Sequence, residues 1–270
     1  GLSASARAGA AAAAAAEADE AGGGRRSRSA FFVLVGVFAL GITVVAFLPF
    51  FLRAYKYPTW IHLHAVVMMG WLVLFLLQVA LAWLGRGDLH VRLGRAIMYY
   101  TILINVTGLA TGYHQVARLS RAGLDLADAR VTWFASFVHP LQFDVLFFAA
   151  YRFRSRRPVH RVLMVFANAA LLPPSAGRFV SNYDFPKPVA GFIVPFSMEL
   201  LAVAYEWSVG GPVVLALACL CFNGLGIVAM LTASGWPSFV AFTDWAVSCD
   251  LMPWLGGATY VYNSTSVWRD

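Results

Sequence analysis

Long apolar runs separated by short polar connections dominate this chain. A helix that crosses a bilayer needs about 20 predominantly apolar residues. Seven stretches meet that length: 30–52, 60–84, 94–117, 131–151, 159–180, 191–207 and 211–232. They predict an all-α fold, a polytopic transmembrane helical bundle of about seven spans. Residues 1–29 precede them, rich in Ala, Gly and Arg, with charges of both signs and no secretory-type apolar core, and read as a disordered tail. Residues 233–270 follow, with "GWPSFVAFTDWAVSCDLMPWLGG", and read as an aromatic interfacial segment, a short extra span being the alternative. The bundle itself is assigned to 30–232.

Polar positions inside the spans are sparse, so each one carries information. In "PTWIHLHAVVMMGWLVLFLLQ", His62 and His64 point about 200° apart at about 100° per residue. His64 heads a stripe through Met68, Trp71 and Phe75 to Gln78, whereas His62 lines up with Val66, Met69, Val73 and Leu76. Polar groups in membrane helices face the bundle interior, which makes the Gln78 stripe the inner one. His62 then lies at the headgroups. The fifth stretch places His160, Met164, Asn168, Leu171, Ser175 and Arg178 on one side, and Pro173–Pro174 interrupt its outer third. Thr101, Asn105, Gly108 and Gly112 share a face of the third, including a G-x-x-x-G that suits close helix packing. Asp144 and Glu199 lie within spans, where a charged carboxylate costs about 2.5–3.5 kcal/mol on insertion scales. Each should be protonated, hydrogen-bonded or paired, either as a structural group or as part of a proton relay.

Composition agrees with the pattern. Sixty per cent of residues are hydrophobic and 12% charged, and mean hydropathy is +0.69. The excess of 20 Lys+Arg over 13 Asp+Glu sits at span ends rather than in one patch, which argues for lipid headgroups and against nucleic acid. The short connections "GRGDLHVRLGR" and "RFRSRRPVHR" hold eight Arg against one Asp. Positive loops stay inside, so the N-terminus is placed inside. The setting is an integral membrane, plasma or organellar inner, without a signal that separates the two. Cys219, Cys221 and Cys249 make no C-x-x-C and read as ordinary small residues.

Sorted by depth, His64, His114 and His139 lie toward the outer side, and His90 and His160 toward the inner. Histidines grouped on both sides are what a transmembrane b-type cytochrome needs, because neutral imidazoles from facing helices ligate haem iron. His64 and His139 are the first candidates for the iron, with Arg178 at the propionates. The plainer reading is that His90 and His160, among arginines, cap helices or meet lipid without any cofactor.

Three segments together, "IHLHAVVMMGWLVLFLLQ", "DLHVRLGR" and "RRPVHRVLMVFANAALLPPSAGR", resemble an uncharacterised family of bacterial multi-span integral membrane proteins. That family's pattern is H-x-H-[AG] followed by Trp and Gln, then L-H-R-R-L-G, then H-[KR]-R-L-M ending in Arg. The resemblance covers about residues 31–180. It marks His62, His64, Trp71, Gln78, His90, Arg92, Leu93, Gly94, His160, Met164 and Arg178 as pattern positions. Val91 and Val162 stand where basic residues are expected, and His114 and His139 fall outside the pattern. The resemblance implies the multi-span topology and no particular activity.

No Gly-rich phosphate loop, G-x-S-x-G or H-E-x-x-H is present, which argues against hydrolytic and phosphoryl-transfer chemistry and leaves other enzymatic activity open. Three functions compete. One is a haem b-binding transmembrane electron-transfer protein. Another is a cofactor-free accessory or structural subunit of a larger membrane complex. The third, a proton-coupled transporter, rests on Asp144, Glu199 and the Pro173–Pro174 break.

Overall fold

The computed structural model describes residues 30–49, 51–52, 59–182, 187–249 and 251. The tail 1–29 and the end of the aromatic segment beyond 251 lie outside the described residues. All regular structure among the described residues is helical: α1 (Ala30–Pro49), α2 (Thr59–Trp83), α3 (Gly87–Ile97), α4 (Tyr100–Arg121), α5 (Ala127–Arg152), α6 (Arg157–Ala170), α7 (Pro173–Asn182), α8 (Lys187–Ser208), α9 (Val213–Ala233) and α10 (Pro237–Ser248). Four of these, α1, α2, α5 and α9, are long and apolar enough to cross a membrane. The α3–α4 pair, bent by 41°, makes a fifth if taken as one broken span.

Two of the stretches expected to be single helices are therefore broken. The run 94–117 begins within α3 and turns at Met98–Tyr99 into α4. The run 159–180 divides at Leu171–Leu172 into α6 and α7, because Pro173 and Pro174 have no N–H for an α6 continuation. At the first two positions of α7 that missing donor costs nothing. Leu171 N and Leu172 N fold back to Asn168 O and Ala169 O, and Ala176 N picks up Leu172 O. The C-terminal segment contributes α10, whose 12 residues span about 18 Å, well short of a bilayer core of about 30 Å.

Connections are tight. Gly85 ends α2 with φ +73°, and Arg86 N bonds back to Leu81 O, a left-handed C-terminal cap that any side chain would strain. Gly123 ends α4 the same way at φ +67°.

The core lies between helices. Trp71 is buried with Phe143 and Phe147 set edge-on to it at 4.8 and 5.6 Å. α6 is enclosed by α5, α8 and α9, and Val162, Leu163 and Val165 through Leu172 are all buried. The stripe on α2 turns inward as its pattern requires, with Trp71, Phe75 and Gln78 buried, while Val66 and Val73 on the opposite face are exposed. Leu34, Ile102, Val106, Leu141, Val145, Leu217 and Val228 also point outward. In water such a coat would be an aggregation surface; in hydrocarbon it costs nothing, as expected for a multi-pass membrane protein.

Candidate functional site

A cavity of about 380 Å³ opens between α1, α2, α4, α5 and the α6–α7 break. That volume falls in the range of small-molecule sites. Its walls are mostly apolar, including Trp71, Ile104 and Pro140. The polar lining consists of His64, His139, Arg178 and the hydroxyls of Thr43, Thr111, Thr132, Ser136 and Ser175. Among the described residues no carboxylate lines it. The N-terminus of α7, the positive end of that helix, faces it through Pro173 and Pro174.

The state of His64 follows from its neighbours. Thr107 sits one turn above Leu103 on α4, and its hydroxyl donates to Leu103 O at 2.7 Å. With that hydrogen spent, Thr107 Oγ1 accepts from His64 Nδ1–H at 3.1 Å. The neutral ring thus keeps the lone pair of Nε2 for a ligand. His139, on α5 across the cavity, is 4% exposed, and its Nδ1 has no partner among the described residues. Arg178 lies over the Phe47 ring at 4.9 Å. Behind the wall, Trp71 Nε1 donates to Asn168 Oδ1 at 2.9 Å, and Asn168 Nδ2 donates to Met164 O at 2.7 Å, which locks the indole. Thr43 Oγ1 donates to Ser175 Oγ at 3.2 Å and ties α1 to α7.

Of His64, His114 and His139, which the sequence groups by depth, the structure brings His64 and His139 to one cavity. His114 is buried on α4 and does not line it.

His90 and His160 meet each other. His90 Nδ1 donates to Gln78 O at 3.1 Å, and His160 Nδ1 donates to Ala150 O at 2.9 Å. A carbonyl only accepts, so Nδ1 carries a proton in both rings. The ring centroids are 6.2 Å apart at 87°. The Gln78 side chain is buried, and neither amide atom has a partner among the described residues. This contact also brings the two Arg-rich connections to one end of the bundle.

Asp144 and Glu199 are held separately. Asn105 Nδ2 donates to Asp144 Oδ2 at 2.9 Å, while Asp144 Oδ1 is unpartnered among the described residues. Glu199 accepts from Asn223 Nδ2, which also donates to Phe166 O at 3.1 Å. Gln142 Nε2 donates to Phe222 O at 2.7 Å beside it.

Sequence reasoning missed three participants. Asn223 stands alone in the apolar run "CLCFNGLG", which is itself a signal of an inward polar role. Glu206, 1% exposed, accepts from Arg161 Nε at 3.1 Å and Nη2 at 2.8 Å; its place at a span end hid this inward, bidentate pairing. Thr107, the residue that sets the His64 tautomer, falls on the face beside the Gly108–Gly112 stripe and has no pattern of its own.

No protein-family model, no curated protein and no solved structure matches the chain.

Proposed function

We propose that this protein is a seven-span membrane protein, N-terminus inside, that binds b-type haem in the outer cavity and transfers electrons across the bundle. One observation carries the reading: two histidines from different helices, each with an unbonded ring nitrogen, line one apolar cavity that has an arginine and, among the described residues, no carboxylate. His64 and His139 would hold the iron and Arg178 the propionates, and bound haem would supply a one-electron carrier. The α6–α7 pair counts as the fifth span and α8 as the sixth. The shared end of the two Arg-rich connections supports their placement inside.

Within this reading the chain's own residues have defined work. Thr107 fixes the His64 ring, the Trp71–Asn168 bond fixes the back wall, and the apolar lining excludes water. Protein purified after expression with ample haem should show a Soret band that shifts on dithionite reduction and is lost in His64→Ala and His139→Ala. A colourless protein would sink the proposal.

A second reading has its own observation. A broken helix that lines a cavity is a feature of membrane carriers, and α6–α7 is one. It predicts pH-dependent uptake into proteoliposomes that Asp144→Asn abolishes.

A further inference from the structure

The Arg-rich end of the bundle carries a second site, on the exposed side of α5 and independent of the haem reading. Leu141, Val145, Phe148 and Arg152 follow one another at steps of four, three and four residues, so they lie on one stripe of that helix. Leu141, Val145 and Phe148 are all exposed. On α4, joined to α5 beside this stripe by the bond from Asn105 Nδ2 to Asp144 Oδ2 at 2.9 Å, Ile102 and Val106 are exposed as well. An apolar stripe on a membrane helix is ordinary. This one ends on a cation.

The cation does not stand alone. The guanidinium carbons of Arg152 and Arg156 both lie 5.9 Å from the centre of the Phe153 ring. Arg154 stacks on Tyr151 at 4.6 Å and donates to its carbonyl at 3.0 Å. Among the described residues none of Arg152, Arg154, Arg156 and Arg157 meets a carboxylate, and only Arg161 beyond them is neutralised, by Glu206. The preference of positive loops for one side explains why arginines gather at this end. It does not account for two of them being held at one ring without a counter-charge, since like charges repel. An anion bound at the pair offsets that repulsion, and guanidinium groups suit phosphate oxygens, which they bind through paired N–H donors.

Length identifies the source of the anion. From Leu141 to Arg152 the helix rises about 16 Å, close to the hydrocarbon depth of one leaflet, about 15 Å. An acyl chain laid along Leu141, Val145 and Phe148 therefore brings its phosphate to the level of Arg152. Free phosphate has no use for the stripe, and an acidic protein segment would leave it uncovered. Basic sites beside membrane helices take anionic headgroups in this way.

We infer that the α5 stripe and the Arg152–Arg156 pair hold one anionic phospholipid from the leaflet at this end of the bundle, its phosphate at the two guanidinium groups. The full-length protein in neutral detergent, titrated with dioleoyl phosphatidylglycerol or dioleoyl phosphatidylcholine, reports lipid affinity by native mass spectrometry. An arginine near an anionic headgroup contributes about fivefold. The first phosphatidylglycerol should thus bind about 25-fold more tightly than phosphatidylcholine, and Arg152→Gln with Arg156→Gln should erase that preference. Arg152→Lys with Arg156→Lys should keep most of it, which separates lost charge from a fold defect. Arg118→Gln with Arg121→Gln, at the other end of the bundle, should leave it intact. Leu141→Ala with Phe148→Ala should weaken both lipids alike. Equal binding of the two lipids by the wild type would overturn the inference. So would an equal loss of preference in the Arg118 and Arg121 variant, since the charge of the whole protein would then be responsible. Displacement of the bound phosphatidylglycerol by inorganic phosphate would overturn it too, leaving a plain anion site.

Discussion

Gly108 and Gly112 form one G-x-x-x-G, yet their substitution by alanine should have opposite effects. A Cβ built on Gly112 falls 2.6 Å from Trp133 Cδ1 and 3.0 Å from Ser136 Cβ, and closer still to Ser136 Oγ. Neither neighbour is a flexible chain end. Trp133 is buried among Tyr113, Phe137, Phe239 and Phe242, and Ser136 Oγ donates to Trp133 O at 2.6 Å. Overpacking of this kind costs about 1–3 kcal/mol, and disturbing the serine bond adds about 0.5–1.5 kcal/mol. The gain in helix propensity from Gly to Ala offsets about 1 kcal/mol. Gly112→Ala should thus destabilise by about 2 kcal/mol. At Gly108 the nearest atom to a Cβ is Pro140 Cγ at 4.0 Å, an ordinary contact. Gly108→Ala keeps the propensity gain and should be neutral to about 1 kcal/mol stabilising. Unfolding in detergent by SDS titration, followed by circular dichroism, measures both. In Gly112→Ala with Ser136→Ala, the hydroxyl clash goes and the Trp133 clash stays, so part of the loss should return. Equal effects at the two glycines would refute the account, because close packing would then not be what distinguishes them.

Arg161→Met leaves the enclosed Glu206 carboxylate without its cation. Removing one partner of a buried pair costs about 3–5 kcal/mol, and the quarter-exposed Arg161 puts the expectation near the lower end. The double variant Arg161→Met with Glu206→Leu should recover most of that loss in the same titration. Trp71→Phe removes the indole donor and strands Asn168 Oδ1, for about 1–3 kcal/mol, and the additional variant Asn168→Leu should cost less on that background than alone. Asn223→Leu withdraws the donor from both Glu199 and Phe166 O and should lower stability by more than Thr232→Val on the outer face of the same helix, as read by thermal unfolding.

Much of this was legible in sequence because membrane helices sort their residues so strictly. The spacing His64–Trp71–Gln78 places these residues on one face, and the indole and the Gln78 amide are buried where that face turns inward. Pro173–Pro174 mark the break in the fifth stretch without any knowledge of its neighbours. Other features depend on distant partners. The bend between α3 and α4 follows no proline or glycine at Met98–Tyr99, and hydropathy runs across it undisturbed. The meeting of His90 with His160 needs the register of α3 against α6, and the tautomer of His64 needs Thr107. A one-dimensional pattern carries neither. His114 shows the limit in the other direction: its depth groups it with His64 and His139, but depth says nothing of which side of α4 it faces.

The enclosure of α6 has a consequence for how the chain is assembled. A 14-residue helix is about 21 Å long, too short to cross the hydrocarbon, and it carries Asn168 where lipid would otherwise touch it. Its surface from Val162 onward belongs to α5, α8 and α9. Without α7 to complete the crossing and neighbours to cover Asn168, such a segment is poorly placed in a bilayer. It must stay as a hairpin with α5 through the turn at 153–156 until α8 and α9 are made and close around it. The middle of the molecule is finished by its later helices, and a chain that stops before α9 leaves its own centre facing lipid.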